Sequence, residues 1–368
     1  MLLGEGPCLA TAYIRTYGQL FAARALTGVS VGGCVPLLYS LLGDLVPPSR
    51  RSAVSAGVGI AQGAGIAVGQ ILAGYLGARH GWRLPFVVVA LPALTLALLV
   101  LLCVEEPRRG AQEPALTAAG AGDGGLGGEY QERIEWRKVR GIFTIRTNLL
   151  AFAQGVPGCI PWGVMNTFFA DYMATDMGMG VASATSMVAV FGVGSVVGNV
   201  AGGLGGQALY NAKPGALGVL MGVTTALGAI PLLLLINSAP GGATSVLAFL
   251  AGGLSCVTGT NVRAVLLGVN APETRGTCFA VFSLTDSLGK GLGPAAVAAL
   301  IARRGRLRAF NTAISLWFLC AVLLLGIAGT LQADEQALQG RLAAARAQRG
   351  APAEEEQCVE RERAEGTE

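Results

Sequence analysis

Residues 41–50 read LLGDLVPPSR, and residues 266–275 read LLGVNAPETR. The two share Leu-Leu-Gly, then Pro47 with Pro272, Ser49 with Thr274, and Arg50 with Arg275, at a constant offset of 225 residues. Each lies where one long apolar stretch ends and a second begins. Short apolar strings resemble one another by chance, but a Pro-x-[Ser/Thr]-Arg at matched places does so far less. A parallel repeat about half a protein long marks membrane folds built from two related halves.

Composition around the repeat agrees. Hydrophobic residues make up 52% of the 368, charged residues 13%, and mean hydropathy is +0.57. A soluble domain carries about 25% charged residues. Glycine is abundant, at 55 residues, and glycine lets membrane helices approach closely. A membrane-crossing helix needs about 20 mostly apolar residues. Nine segments qualify: 17–45, 52–78, 84–104, 147–170, 181–209, 214–237, 242–268, 275–302 and 308–332. The expected fold is therefore all-α and polytopic. Residues 1–14 read as the end of a tenth span, and the start is not a signal peptide, having no basic n-region and a break at Glu5.

If each half has six helices, the two repeat copies follow helices 4 and 10. The nine segments are then helices 4 to 12, and helices 1, 2 and most of 3 are expected to be missing. The expected division is an incomplete helical bundle over 1–104, a linker over 105–146, a six-helix bundle over 147–332 and a partly disordered tail over 333–368. In the linker, TAAGAGDGGLGGEY (117–130) has flexible composition, and ERIEWRKVR (132–140) reads as an amphipathic surface helix. With linker and tail on the cytoplasmic side, that side carries 16 Lys and Arg against 7 opposite. This is the sense of the positive-inside rule, and it places the carboxy terminus in the cytoplasm.

The net charge of +4 is spread over short loops, which excludes a nucleic-acid partner. The eight cysteines contain no C-x-x-C pair and there is a single histidine, His80. Neither a metal site nor any other cofactor is expected. No H-E-x-x-H, G-x-S-x-G or Walker motif occurs, and Gly289-Lys290 lacks the following Ser or Thr of a phosphate loop. The chain is not expected to be an enzyme.

Ionisable groups inside spans are costly and usually face a cavity or a partner. Arg24 lies seven residues into its segment, about 10 Å deep at 1.5 Å per residue; it reads either as an anion or coupling contact or as half of a structural pair. Asp286 and Lys290 are spaced i,i+4 and share a helix face, as an internal ion pair or as a gate or proton site. Arg263 is near a span end, where it can snorkel. Thr258, Thr260, Asn261, Trp162 and Asn166 are candidate cavity-lining residues, with packing the plainer role. Asp44, Arg50, Arg51, Glu273 and Arg275, clustered at the two repeat copies, are candidates for a cytoplasmic gating network. Residues 63–69 and 192–198 both read G-x-G-x-x-x-G. Gly63, Gly65, Gly69, Gly192, Gly194 and Gly198 are thus candidates for close contact between helices 5 and 8. Gly289, Gly291 and Gly293 would meet the absent helix 2.

Several stretches also carry a family resemblance. AARALTGVSVGG (22–33), GDLVPPSRRS (43–52) and GAGIAVGQILAG (63–74) resemble motifs of helices 4 and 5 of the major facilitator superfamily. GWRLPF (81–86), EEPRRG (105–110), NVRAVLLGVNAPETRGT (261–277) and DSLGKGLGP (286–294) resemble its spinster-like branch. The likeness covers residues 1 to about 332. It implies a monomeric secondary carrier working by alternating access, with a cavity lined by helices 1, 4, 7 and 10. The implied partners are membrane lipid, a lysophospholipid, sphingolipid or other amphiphilic anion as substrate, and protons as coupling ion. The chain departs from the branch pattern at Ser30 and Val31, where a glycine and a glutamate are common. A carrier of a small polar organic solute and a non-transporting, receptor-like remnant are the competing readings.

Overall fold

A computed structural model describes residues 2–104, 107, 111–112 and 136–365. They form helices α1 (Leu2–Ala10), α2 (Tyr17–Leu45), α3 (Arg51–His80), α4 (Leu84–Cys103), α5 (Trp136–Gly141), α6 (Arg146–Thr175), α7 (Val181–Ala212), α8 (Ala216–Asn237), α9 (Thr244–Val269), α10 (Arg275–Arg304) and α11 (Arg306–Glu365). No strand occurs among the described residues. The flexible-linker stretch 117–130 lies outside the described residues, as does most of EEPRRG.

Among the described residues, nine helices of 20 residues or more fall on the nine apolar segments. By length and composition six of them, α2, α4, α7, α8, α9 and α11, are apolar enough to cross a membrane. The other three are α3, α6 and α10, each 30 residues long. They are more polar, and α10 carries Asp286 and Lys290 within it. Helix α11 does not stop where its apolar stretch ends at 332 but continues to Glu365.

The sequence repeat is also a structural one. Helix α2 is followed by a 3-10 turn, Pro48–Arg50, and then by α3; α9 is followed by a 3-10 turn, Pro272–Thr274, and then by α10. Proline presets the backbone for the first residue of such a turn. Both second helices end on a glycine in the left-handed region, Gly81 at φ +86° and Gly305 at φ +81°. A side chain is strained there, and the next helix starts at once.

Local signals explain several ends. Thr16 caps α2 with a capping box, in which Gln19 N–H donates to Thr16 Oγ1 at 3.3 Å and Thr16 N–H to Gln19 Oε1 at 3.2 Å. The helices then associate through small residues, as expected where lipid gives no hydrophobic drive. On α7, a Cβ at Gly194 would lie 2.2 Å from Phe249 O, and one at Gly198 1.9 Å from Gly253 O. Helix α7 thus lies directly on α9.

Two apolar cores result. One is formed by α6 to α11 and is aromatic, with Phe169, Tyr172, Phe191, Phe310 and Trp317. The other joins the halves, packing Tyr39 against Val262, Leu266, Phe279 and Phe282. It lies at the end where α2 and α9 finish and α3 and α10 begin. Burial is uneven: 11% of the most apolar windows of α2 and of α4 is buried, against 50% for α8 and 44% for α9.

Candidate functional site

The two repeat turns meet in space. Arg275 Nη1 lies 3.2 Å from Asp44 Oδ1, with the arginine side chain fully buried and the aspartate 8% exposed. Gly43 makes this approach feasible, because a Cβ there would sit 2.7 Å from Arg275 Nη1. Its repeat counterpart Gly268 does the same for a different acid: a Cβ there would lie 2.6 Å from Glu335 Oε1. The Leu-Leu-Gly repeat therefore marks two places where a charged side chain passes over a helix end.

Arg51, 3% exposed, ties the halves in a second way. Its Nη2 donates to Gly43 O at 3.1 Å, its Nε to Val46 O at 3.3 Å and its Nη1 to Leu267 O at 3.4 Å. Those carbonyls belong to the carboxy-terminal ends of α2 and α9, where the helix dipole is negative. One guanidinium thus serves both ends, which its planar fork of donors permits.

Further contacts complete this latch. Ser52 N–H donates to Gln207 Oε1 at 2.8 Å, and Gln207 Nε2 donates to Pro48 O at 3.3 Å. A Cβ on Gly203 would meet that of Ala56 at 2.2 Å. Arg263 Nη1 donates to Tyr39 OH at 3.2 Å, with its guanidinium 5.1 Å from the ring centroid. Tyr39 in turn stacks on Phe279 at 5.1 Å. Glu273, 6% exposed, joins α5 to the latch through Lys138 Nζ at 3.3 Å. Arg50, at the repeat itself, is exposed and stands outside this cluster.

Past Tyr39 and Phe282, α2 and α10 carry exposed apolar side chains: Val31 is 61% exposed, Leu284 59% and Leu292 63%. Here lies the second group of ionisable residues. Asp286 Oδ2 and Lys290 Nζ are 3.8 Å apart, with the carboxylate side chain 18% and the lysine 50% exposed. They are about 16 and 22 Å from the Arg275 end of a helix about 45 Å long. The pair therefore sits near mid-height of α10, beyond the latch core, with Asp286 beside Gly155 of α6.

The remaining candidates take other places. Thr258 shares a hydrogen bond of 2.6 Å with Thr225 of α8. Thr260 donates to Val257 O. Asn261, fully buried, donates to Gly202 O at 2.9 Å. Thr258 and Asn261 thus bond to the neighbouring helices α8 and α7, and Thr260 to its own helix. Trp162 packs edge-on against Phe191 and beside Trp317. Asn166 is exposed. Arg24 donates to Thr11 Oγ1 at 2.7 Å and covers the Phe86 ring at 4.9 Å.

Helices α3 and α7 do pack, but through Gly203 on Ala56 and Gly59 on Asn199, not through the paired G-x-G-x-x-x-G motifs. Gly63, Gly65, Gly69 and Gly192 meet nothing within 4 Å, while Gly194 and Gly198 meet α9. Gly289 and Gly293 pack on Val156 and Ile160 of α6, and Gly291 meets nothing within 4 Å. Tyr39, Gln207, Tyr210 and Glu335 are latch-end residues that motif reading misses. Tyr210 OH donates to Glu335 Oε1, and a lone polar residue at a helix end gives no signal of its distant partner.

Comparison with known proteins places this geometry. The family model described as Major Facilitator Superfamily matches residues 1–294. Among solved structures, the proton:xylose symporter XylE has TM-score 0.66 at 16% identity, covering 90% of this chain and 81% of its own. The human organic anion transporter MFSD10 has 0.61 at 18%, covering 88% and 75%. A bacterial homologue of the human lysosomal transporter Spinster has 0.53 at 16%, covering 90% and 82%. The curated transporters it matches are aligned over only 12% and 16% of their own length. Fold and family are those of transporters and not of enzymes. The chain is a multi-pass membrane protein that belongs to the Major Facilitator Superfamily.

Proposed function

We propose that the chain is a secondary carrier that works by alternating access, with the latch as the closed gate and the Asp286–Lys290 level as its site. The observation that carries this reading is the buried Asp44–Arg275 pair, which joins the two repeat turns. A buried ion pair adds little net stability but is costly to split. It is therefore suited to a contact that is either fully made or fully released to water. On the positive-inside reading the latch end is cytoplasmic, the extension of α11 lies on that side, and this conformation opens outward. The division into two bundles joined by the 105–146 linker follows the same reading.

The substrate we propose is an amphiphilic organic anion, of the lysophospholipid or sphingolipid kind, with protons as coupling ion and a spinster-like ancestry. Lys290 supplies a cationic group, and Asp286 supplies a carboxyl for proton coupling. The likeness in fold to an organic anion transporter and to a Spinster homologue is consistent with this. The likeness to a xylose symporter favours the second reading, a carrier of a small polar solute.

Purified protein in proteoliposomes, given a fluorescent lysophospholipid, tests the reading. Uptake above empty liposomes that falls about tenfold, the equivalent of ~1.4 kcal/mol, in Lys290→Ala is expected. Uptake of xylose alone points to the polar-solute carrier, and uptake equal to empty liposomes for both removes the carrier reading.

A further inference from the structure

Below the latch lies a cavity of about 380 Å³, walled by three elements that have no neighbouring place in the sequence. Helix α5 gives Arg137 and Lys138, the latch turn gives Glu273 and Thr274, and the extension of α11 gives Arg341 and Leu342. The extension is firmly docked. Asp334 Oδ2 accepts from Thr147 N–H at 2.9 Å, at the start of α6, and Leu338 and Leu342 are 1% and 4% exposed. The wall is thus part of the fold.

The charges in this cavity do not balance. Lys138 is paired with Glu273. Arg341 Nε donates to Ala337 O of its own helix at 3.3 Å, and neither Arg341 nor Arg137 has an acidic partner among the described residues. Two guanidiniums with free donors on one cavity form a site for an anion that can accept several hydrogen bonds, as phosphate does. The volume falls in the range of small-molecule sites, about 300–1,000 Å³, and so admits a phosphorylated head group. Two observations put the cavity at the level of lipid head groups. Trp136, 70% exposed, stands beside Arg137, and tryptophan marks membrane interfaces. Arg341 is also about 50 Å along α11 from Arg306, close to the span of a bilayer with its head groups, about 40–45 Å.

We propose that this cavity binds a phosphate-bearing anion, presented as the head group of an anionic phospholipid of the leaflet on the latch side. Only the identity of that leaflet rests on the orientation proposed above. Glu273 joins the site to the latch, since it pairs with Lys138 and lies two residues before Arg275.

The test is thermal stabilisation of the full purified chain in micelles by added phosphatidylglycerol, phosphatidylcholine, or soluble glycerol phosphate. Phosphatidylglycerol should raise the melting temperature and phosphatidylcholine should not. The Arg137→Ala/Arg341→Ala double variant should need about tenfold more phosphatidylglycerol for the same rise, about 1.4 kcal/mol. Arg137→Lys/Arg341→Lys should recover part of it, which guards against a variant that merely folds poorly. Removing Arg303 and Arg304, at the far end of α10, should change nothing. A response to glycerol phosphate as well supports the site and makes its ligand a soluble phosphate too. Equal stabilisation by phosphatidylcholine, or the same loss from Arg303→Ala/Arg304→Ala, overturns the proposal. The assay involves no flux, so its failure leaves the carrier reading intact, and absence of flux leaves this site intact.

Discussion

Asp44 and Arg275 are 231 positions apart, yet they form a 3.2 Å ion pair from which water is almost excluded. Each ends or begins a helix of a different half, so the pair exists only while the two halves meet at this end. Removing one partner leaves a buried charge without compensation, which costs about 3–5 kcal/mol. Asp44→Ala and Arg275→Ala should therefore each open the latch and lower thermal stability. The double variant should cost less than the sum of the two. A double-mutant cycle on melting temperature in detergent measures that coupling, and strict additivity would show that the pair contributes nothing.

Arg51 is held by geometry as much as by charge. It donates to Gly43 O, Val46 O and Leu267 O, and a lysine ammonium cannot reach three carbonyls on two helix ends. Arg51→Lys should weaken the latch almost as much as Arg51→Ala. Accessibility of a cysteine placed at Ala56 to a thiol reagent reads this out, because Ala56 is 4% exposed beneath the latch.

The glycines divide into two classes with opposite expectations. Gly198→Ala must displace the Gly253 backbone, and overpacking of this kind costs about 1–3 kcal/mol. Gly63→Ala has open space around it and should be neutral. Yield of monodisperse protein and its melting temperature compare the two directly. Equal losses would mean that α7 and α9 do not lie as close as described.

Asp286 and Lys290 carry separate tasks in the proposed cycle. Asp286→Asn should abolish uptake driven by a proton gradient while keeping exchange of labelled for unlabelled substrate. Lys290→Ala should reduce both. Trp162→Ala, by contrast, should act through the aromatic core and lose about 3–5 kcal/mol of stability; flux and melting temperature measured on the same preparations separate the three.

The latch was legible in the sequence because it lies on the repeat: Asp44, Arg51, Glu273 and Arg275 all sit at the turn where the two copies align. Helix positions were legible too, since apolar runs mark them. Helix faces were not. A helix apolar all round has no periodic signal to tell which side meets a neighbour. Thr258, Thr260 and Asn261 thus read equally as cavity lining or as packing, and their partners, Thr225 for Thr258 and Gly202 O for Asn261, carry no sequence signal. Similarly, G-x-G-x-x-x-G announces a close contact but not its partner, and Gly198 found Gly253 instead of the matching motif on α3. Tyr39 and Glu335 gave no local signal, because their partners lie more than 100 residues away.

Alternating access as proposed requires the helices to rock about the Asp286–Lys290 level, closing at the far end as the latch opens. Spin labels on Phe21 and Leu300, far from the latch, and a second pair on Ser49 and Asn211, near it, report both ends by distance in lipid bilayers. In Asp44→Ala the distance at the latch should lengthen and the distance at the far end should shorten together. A latch that loosens while the far end stays unchanged would contradict alternating access in this chain.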